Sequence, residues 1–326
     1  MALYRDSVWR CTAVVLRPLL VTTLLLSSAS FLPIPSIWRE INASFAVYYL
    51  CLHVIGLLAL VVFFGRLKTS FVYVVAGWSL LLCSKYVVHL LPYYYPAADQ
   101  SHNASARTFS LYYANVDWQH ESRTELANQL VDRDPDVVVL LEIARSELDN
   151  LHFVNRYPYR ANTMGFGPFG LVILSKFPFR GRALTEFGVD ALPMILVDVE
   201  LIDQKVVTLV ALHLLPPQAE QAWYMNKMML RRLTTFLRHE KRDFIVAADL
   251  NAGPMSTQVR RWKQIPDLKD AMHGFGLQKT WEVGSLLFHL TIDYVLYRGD
   301  LGVENFEVLP SIGSDHYPLW VEFSSG

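Results

Sequence analysis

Cysteine is scarce and confined: Cys11, Cys51 and Cys83 are the 3 in the chain, and none follows Cys83. The last two-thirds therefore holds neither a disulfide nor a thiol nucleophile. Acidic residues are almost missing from the first third, where Asp6 and Glu40 are the only two before residue 96. Pro18 to Trp38, Phe45 to Gly65 and Ser70 to Ser84 contain no Asp, Glu, Lys or Arg at all. Runs this long and this uncharged exclude the half-solvated helices of a globular domain. About 20 apolar residues cross a bilayer, so the sequence predicts three transmembrane helices in a membrane anchor over residues 1–95.

The remainder lacks a basic excess. The chain has 29 basic and 30 acidic residues, of which 7 and 2 precede residue 96. That leaves 22 and 28 beyond it, a balance near −6, against +5 for the anchor. Non-specific nucleic-acid binders gain affinity by neutralising phosphates, so this balance disfavours nucleic acid as partner. Arg231-Arg232, Lys241-Arg242 and Arg260-Arg261-Lys263 are local basic clusters within it. Gly165-Phe166-Gly167-Pro168-Phe169-Gly170 lacks the Lys-Ser/Thr of a P-loop and reads as a turn into a strand. There is no internal repeat or low-complexity tract, and nothing points to a protein partner.

Arg5, Arg10 and Arg17 flank the first apolar segment, and Arg66 with Lys68 fills the second loop. The positive-inside rule then puts the N-terminus in the cytoplasm and everything after Leu91 outside, in a multi-pass plasma or inner membrane protein. A cleaved signal peptide is the competing reading of the first segment, opposed by the two further spans and by Ser28-Ala29-Ser30 as a poor cleavage signal. Pro33 and Pro35 would end or kink the first span, and Tyr93-Tyr94-Tyr95 reads as part of an aromatic belt. Lys85 and His89 share a helix face, which suits a lysine reaching the interface.

A polar linker over 96–107 leads to a catalytic domain over 108–326. Strands are expected at Phe109–Ala114, Asp136–Leu141, Gly170–Leu174, Ile195–Val199, Val206–Leu212, Phe244–Ala248, Ile292–Tyr297 and Leu319–Phe323. Helices are expected at Glu121–Val131 and from Gln218 to His239, the latter opened by Pro216-Pro217. So many strands without intervening helices argue against a purely parallel sheet.

Six short segments place a polar residue at or just past the end of an apolar run. They are Ala114-Asn115-Val116, Leu141-Glu142, Leu212-His213-Leu214, Ala248-Asp249-Leu250-Asn251, Thr291-Ile292-Asp293-Tyr294 and Ser314-Asp315-His316. Strand ends are where α/β proteins gather catalytic groups, and these residue types suit phosphate-ester hydrolysis. Taken alone, an Asp-x-Asn pair before Gly253-Pro254 is a turn cap, and a histidine after a strand is a core residue. In this order the set resembles the endonuclease/exonuclease/phosphatase superfamily, over roughly Thr108 to Phe323. The chain departs from the usual pattern at Ala248 and Leu250 (commonly Gly and Phe), Leu141 (Gln) and Leu212 (Thr), all packing neighbours of the chemical groups.

The resemblance implies an α/β fold of two packed mixed sheets flanked by helices, a four-layer sandwich. It implies Mg²⁺ or Mn²⁺ bound by Glu142, with Asp315 as a second acid beside the metal. Asp249 would orient or deprotonate the attacking water, and Asn251 would donate to a phosphoryl oxygen. His213 would stabilise the leaving group or phosphate, His316 and Asp293 would form a His–Asp pair, and Asn115 would hold the site's hydrogen-bond network. His120, His273 and His289 have no role, and His289 reads as a loop residue. The three-span anchor joined to this domain resembles membrane proteins of the teicoplanin-resistance type, which implies a phosphorylated membrane lipid as substrate. A nuclease is the alternative enzyme, and a silent membrane-binding module the alternative class, which the intact metal and His–Asp sets oppose.

Overall fold

The computed structural model describes residues 2–32, 36–63, 69–95, 107–120, 122–143, 145–148, 151–163, 167–184, 192–263, 265–282 and 289–325. The linker at 96–106, Pro33, Pro35, Arg66, Lys68, Gly165 and Phe166 lie outside the described residues. The chain divides into two compact units, Met1–Leu91 with Gly253–Thr257, and Pro92–Ala252 with Gln258–Gly326.

The first unit is helical: α1 (Ala2–Ala29), α2 (Ile37–Ser44), α3 (Ala46–Phe63) and α4 (Thr69–Leu90). Leu20, Leu60, Val72 and Val75 form a buried cluster between α1, α3 and α4. A Cβ on Gly56 would come within 2.7 Å of Leu20 Cδ2, so α1 and α3 approach closely there because Gly56 has no side chain. Buried His53 ties three helices together, its Nε2 lying 2.9 Å from Ser27 Oγ and its Nδ1 3.3 Å from Ser79 Oγ. One helix, Ser70–Tyr93, is long and apolar enough to cross a membrane. The pair α2 and α3, bent by 64°, is a second candidate, and α1 contributes the shorter apolar stretch Val14–Ala29. The described residues thus carry one or two candidate spans rather than the three expected, since Val14–Ala29 is too short to cross and α3 reaches span length only when joined to α2 across the bend. Tyr93 also departs from expectation: it is fully buried in the second unit, its hydroxyl donating to Asp270 Oδ2 at 3.1 Å, while Tyr94 and Tyr95 are exposed.

The second unit holds two six-stranded mixed sheets flanked by helices. Its elements run β1 (Arg107–Asn115), α5 (Thr124–Arg133), β2 (Val137–Leu141), α6 (Arg145–Leu148), β3 (Tyr159–Asn162), β4 (Leu171–Ser175), β5 (Phe179–Leu184), β6 (Met194–Glu200) and β7 (Val206–His213). Then come α7 (Glu220–His239), β8 (Asp243–Asp249), α8 (Thr257–Trp262), β9 (Lys269–Asp270), β10 (Trp281–Glu282), β11 (His289–Leu290), β12 (Asp293–Arg298), β13 (Leu301–Val308) and β14 (Leu319–Ser325). One sheet has the order β13-β14-β1-β2-β4-β3 and the other β5-β6-β7-β8-β12-β9, while β10 and β11 form a small ribbon. Every strand expected from the apolar runs is present, within two residues at either end. The strands not anticipated, such as β13 with its Glu304, Asn305 and Glu307, carry polar residues that blur the period-two pattern. His289 lies in β11 rather than in a loop. The helix expected from Gln218 starts at Glu220, and Asn226 bridges back to the amide and carbonyl of Leu215 at 2.9 and 2.8 Å.

Both faces of each sheet are covered, which explains the uninterrupted Val, Leu and Ile runs. On the outer faces, Val210, Val246 and Leu296 pack on Met229, Leu233 and Leu237 of α7. Tyr112, Val138 and Leu140 pack on Leu126 and Leu130 of α5. The alternate residues Leu111, Tyr113, Val139, Ala211, Ile245 and Val295 are equally buried and turn to the opposite faces. There the sheets meet, with the Tyr297 and Phe323 rings 5.6 Å apart.

One charged cluster interrupts this apolar pattern. Arg182 on β5 grips Asp198 through Nε and Nη2, both at 2.9 Å, and reaches Glu240 at 2.6 Å. Thr208 Oγ1 donates to the same Asp198 at 2.8 Å. Burial pushes both carboxyls up, but the hydrogen bonds and the guanidinium outweigh it, so both titrate below their ordinary values. The folded chain therefore binds fewer protons there, and the stability this supplies is complete above the ordinary carboxylate range and lost as pH falls through the depressed values. Arg182→Met should cost about 2–4 kcal/mol in urea unfolding at pH 7, and the deficit should shrink as pH falls below about 4. A deficit that does not change with pH would show that packing, not charge, is what Arg182 contributes.

Candidate functional site

The fold brings the six sequence segments to one sheet edge. β1 and β2 run parallel, with Asn115 opposite Leu141, so Asn115 and Glu142 leave the first sheet at the same end. β7 and β8 run parallel, with His213 opposite Asp249. β12 runs antiparallel to β8 and starts at Asp293, directly opposite Asp249. His316 precedes β14, which runs antiparallel to β1. Parallel strands deliver their last residues and antiparallel strands their first residues to this single edge.

Local backbone then aims the side chains. Glu142 and Asn251 both hold left-handed φ values, 61° and 47°, which L-residues adopt rarely and which concentrate at functional sites. The Glu142 amide donates to Gly170 O at 2.7 Å. Ser314 Oγ donates to Asn115 O at 2.9 Å and accepts from the His316 amide at 3.0 Å, tying the last segment to the first.

Asn115 links the carboxylates, its Nδ2 donating to Glu142 Oε1 at 2.9 Å and to Asp249 Oδ2 at 3.3 Å. Glu142 Oε2 accepts from the Trp118 amide at 3.3 Å. His213 donates from Nδ1 to Pro168 O at 3.0 Å, so its Nε2 faces Glu142 at 3.6 Å and Asp249 at 3.4 Å. His316 donates from Nδ1 to Asp293 Oδ2 at 2.9 Å and turns Nε2 toward Asp249, 3.7 Å away. Asp249 Oδ1 accepts from the Asn251 amide at 2.8 Å, and Asn251 Nδ2 donates one of its two hydrogens to Leu214 O at 2.7 Å. Asp315 stands at the rim, half exposed, accepting from Trp281 Nε1 at 2.8 Å.

Packing three carboxylates against two imidazoles divides the protons between them. Burial lowers the His316 pKa, but Asp293 and Asp249 outweigh it and push it up to about 10. Burial likewise lowers His213, and Asp249 and Glu142 overcome it, so its pKa is raised. Asp249 is pushed up by burial yet held below its ordinary value by His316 and His213. Asp293 is raised, because burial prevails over its bonds to His316 and Tyr113. Both imidazoles thus lean toward the charged form, beside an ionised Asp249. That is an arrangement for holding water at one carboxylate and placing positive charge against a phosphoryl group.

Among the described residues, Asp249, Asp293 and His316 place ligand atoms within 4.8 Å of one another. Asp293 is already committed to both His316 and Tyr113, however, whereas the Glu142 side chain keeps 14% exposure. The hard carboxylate oxygens of Glu142 suit Mg²⁺ or Mn²⁺. The residues fit a divalent ion, without selecting one.

Several participants were silent in the sequence. Tyr113, fully buried, donates to Asp293 Oδ1 at 2.7 Å from inside an apolar strand. Thr280 Oγ1 accepts the amides of Ile292 and Asp293, both at 3.0 Å. Trp118 sits in a loop and Trp281 in the two-residue strand β10, neither with a pattern of its own. Ser314 was legible, next to Asp315 and His316. His120 and His273 make no contact with these carboxylates among the described residues.

The family model described as the Endonuclease/Exonuclease/phosphatase family matches residues 112–316. A search of curated proteins gives no match. Among solved structures, an endonuclease/exonuclease/phosphatase from Beutenbergia cavernae is 20% identical with a TM-score of 0.56, covering 68% of this chain and 72% of its own. TDP2 of D. rerio, complexed with single strand DNA product, is 17% identical with a TM-score of 0.56, covering 66% and 98%. The human Nocturnin catalytic domain with bound sulfate is 17% identical with a TM-score of 0.53, covering 70% and 99%. At these identities the likeness establishes the fold.

Gly170 offers a direct check on how Glu142 is held. A Cβ there would lie 2.0 Å from Ile143 O, so the strand start and the Glu142 loop touch because the side chain is missing. Gly170→Ala should weaken Mn²⁺ binding about 10–100-fold by calorimetry in protein that keeps its circular dichroism. Wild-type affinity in that folded variant would show that this contact does not position Glu142.

Proposed function

Because the chain belongs to the endonuclease/exonuclease/phosphatase family, whose members are metal-dependent hydrolases of phosphoester bonds, we propose that it is a membrane-anchored phosphohydrolase acting on a phosphate ester or pyrophosphate of a membrane lipid. The observation that carries the chemistry is the single edge shared by Asn115, Glu142, His213, Asp249, Asp293 and His316. Asp249 holds and deprotonates the attacking water. His316, oriented by Asp293, and His213, oriented by Pro168 O, place positive charge against the phosphoryl oxygens and the leaving oxygen. The second Nδ2 hydrogen of Asn251 donates to a phosphoryl oxygen. A divalent ion held by Glu142, with Asp315 as a second acid, would neutralise charge developing on the phosphate.

The lipid part of the reading rests on two observations. Candidate membrane-spanning helices precede the catalytic residues, and the residues from 96 onward carry a balance near −6. A net negative surface repels a polyanion at long range but not a single lipid headgroup. A nuclease is the second reading, favoured by a structural neighbour solved with single strand DNA product. The basic residues Arg5, Arg10, Arg17, Arg66 and Lys68 near the apolar segments favour an orientation with the catalytic domain outside the cytoplasm. A reporter enzyme active only outside the cytoplasm, fused after Gly326, should be active, and activity of a cytoplasm-only reporter there would reverse the orientation.

The substrate test sets a lipid pyrophosphate, a phospholipid and plasmid DNA side by side against the purified full chain. Mg²⁺-dependent, EDTA-sensitive turnover of a lipid is expected. Asp249→Ala and His316→Ala should each lower it by roughly 10²-fold or more while the protein stays folded. Nicking of the plasmid with no lipid turnover would select the nuclease, and wild-type rates in either variant would end the mechanism.

A further inference from the structure

A second basic feature lies away from the catalytic edge. α7 connects the parallel strands β7 and β8, so it runs back from the edge that carries His213 and Asp249. Along its outer side, a groove of about 830 Å³ lies between α7 and Arg182 of β5. One stripe of the helix, Tyr224, Met228, Arg231, Arg232 and Thr235, lines it at three- and four-residue spacing, together with Phe236. From Tyr224 to His239 the helix rises about 22 Å.

The charge of this helix runs against that of its unit. After Glu220 it contains no acidic residue through His239, yet it carries Lys227, Arg231, Arg232 and Arg238. The acid at the groove's end, Glu240, is held by Arg182. Tyr224 and Met228 are 58% and 39% exposed, so the groove also offers apolar wall that water meets.

We propose that this groove binds an anionic phospholipid, its phosphate on Arg231 and Arg232 and its acyl chain along Tyr224, Met228 and Phe236. Guanidinium groups match phosphate oxygens with paired N–H donors, and Arg231 and Arg232 both line the groove. A nucleic acid strand needs cations repeated along its backbone, whereas here Arg182 is committed to Asp198 and Glu240, Glu240 itself lines the groove, and Tyr224 and Met228 form its other wall. The site is distinct from the phosphoester-cleaving edge and does not depend on which phosphoester is cleaved. It would hold lipid as a ligand, not as substrate.

The test measures binding of short-chain phosphatidylglycerol, phosphatidylcholine, inorganic phosphate and a single-stranded oligonucleotide to the full chain in non-ionic detergent. Phosphatidylglycerol should bind tightest. Arg231→Gln/Arg232→Gln and, separately, Met228→Asp should each weaken it by about tenfold or more. Both variants should hydrolyse a small soluble phosphodiester at the wild-type rate, and Asp249→Ala should bind phosphatidylglycerol like wild type. That last pair of readings separates this site from the catalytic one. Equal binding of phosphatidylcholine or inorganic phosphate, tighter binding of the oligonucleotide, or wild-type affinity in both groove variants would overturn the proposal.

Discussion

Both sheets of the catalytic unit are buried on both faces, and that constraint decides where chemistry can occur. A side chain at mid-strand, such as Val139 or Val246, meets either a helix or the other sheet. Polar groups become usable only where strands end. The mixed strand directions then matter, because β1, β2, β7 and β8 finish at the edge where β12 begins and β14 is entered. Candidate site residues scattered over about two hundred positions of sequence thereby meet within a few ångströms.

Tyr113 is the informative exception. It lies on the buried face of β1, yet its hydroxyl reaches Asp293 of the other sheet at 2.7 Å. A phenol can place a polar tip at the edge while its ring fills the core. Asp293 is thus held from both sides, by Tyr113 on one oxygen and His316 on the other. A carboxylate with both oxygens engaged has one available orientation, and the imidazole it holds inherits that precision.

The strands buried on both faces were legible because their apolar runs are unbroken, and the site residues because each terminates such a run. Asn115, Glu142, His213, Asp249, Asp293 and His316 converge as their order implied. What stayed hidden had no periodic or compositional mark. β13 mixes polar and apolar residues, Tyr113 hides among apolar neighbours, and the amide of Trp118 and the hydroxyl of Thr280 act through loop geometry. The three apolar segments also read more simply than they fold: the first is apolar only over Val14–Ala29, too short to cross, and the second reaches span length only across a 64° bend, which leaves one or two candidate spans among the described residues. Tyr93 looked like a membrane-interface residue but is buried beside Asp270, since three adjacent tyrosines carry no sign of which one turns inward.

In the proposed mechanism an Asp249-held water attacks phosphorus directly, with no covalent enzyme intermediate. Its most direct test is the stereochemical course of hydrolysis of a chiral phosphorothioate diester in isotopically labelled water. One in-line displacement predicts inversion at phosphorus. Retention would require two displacements through a covalent intermediate and would contradict the assignment of Asp249 and its two flanking histidines.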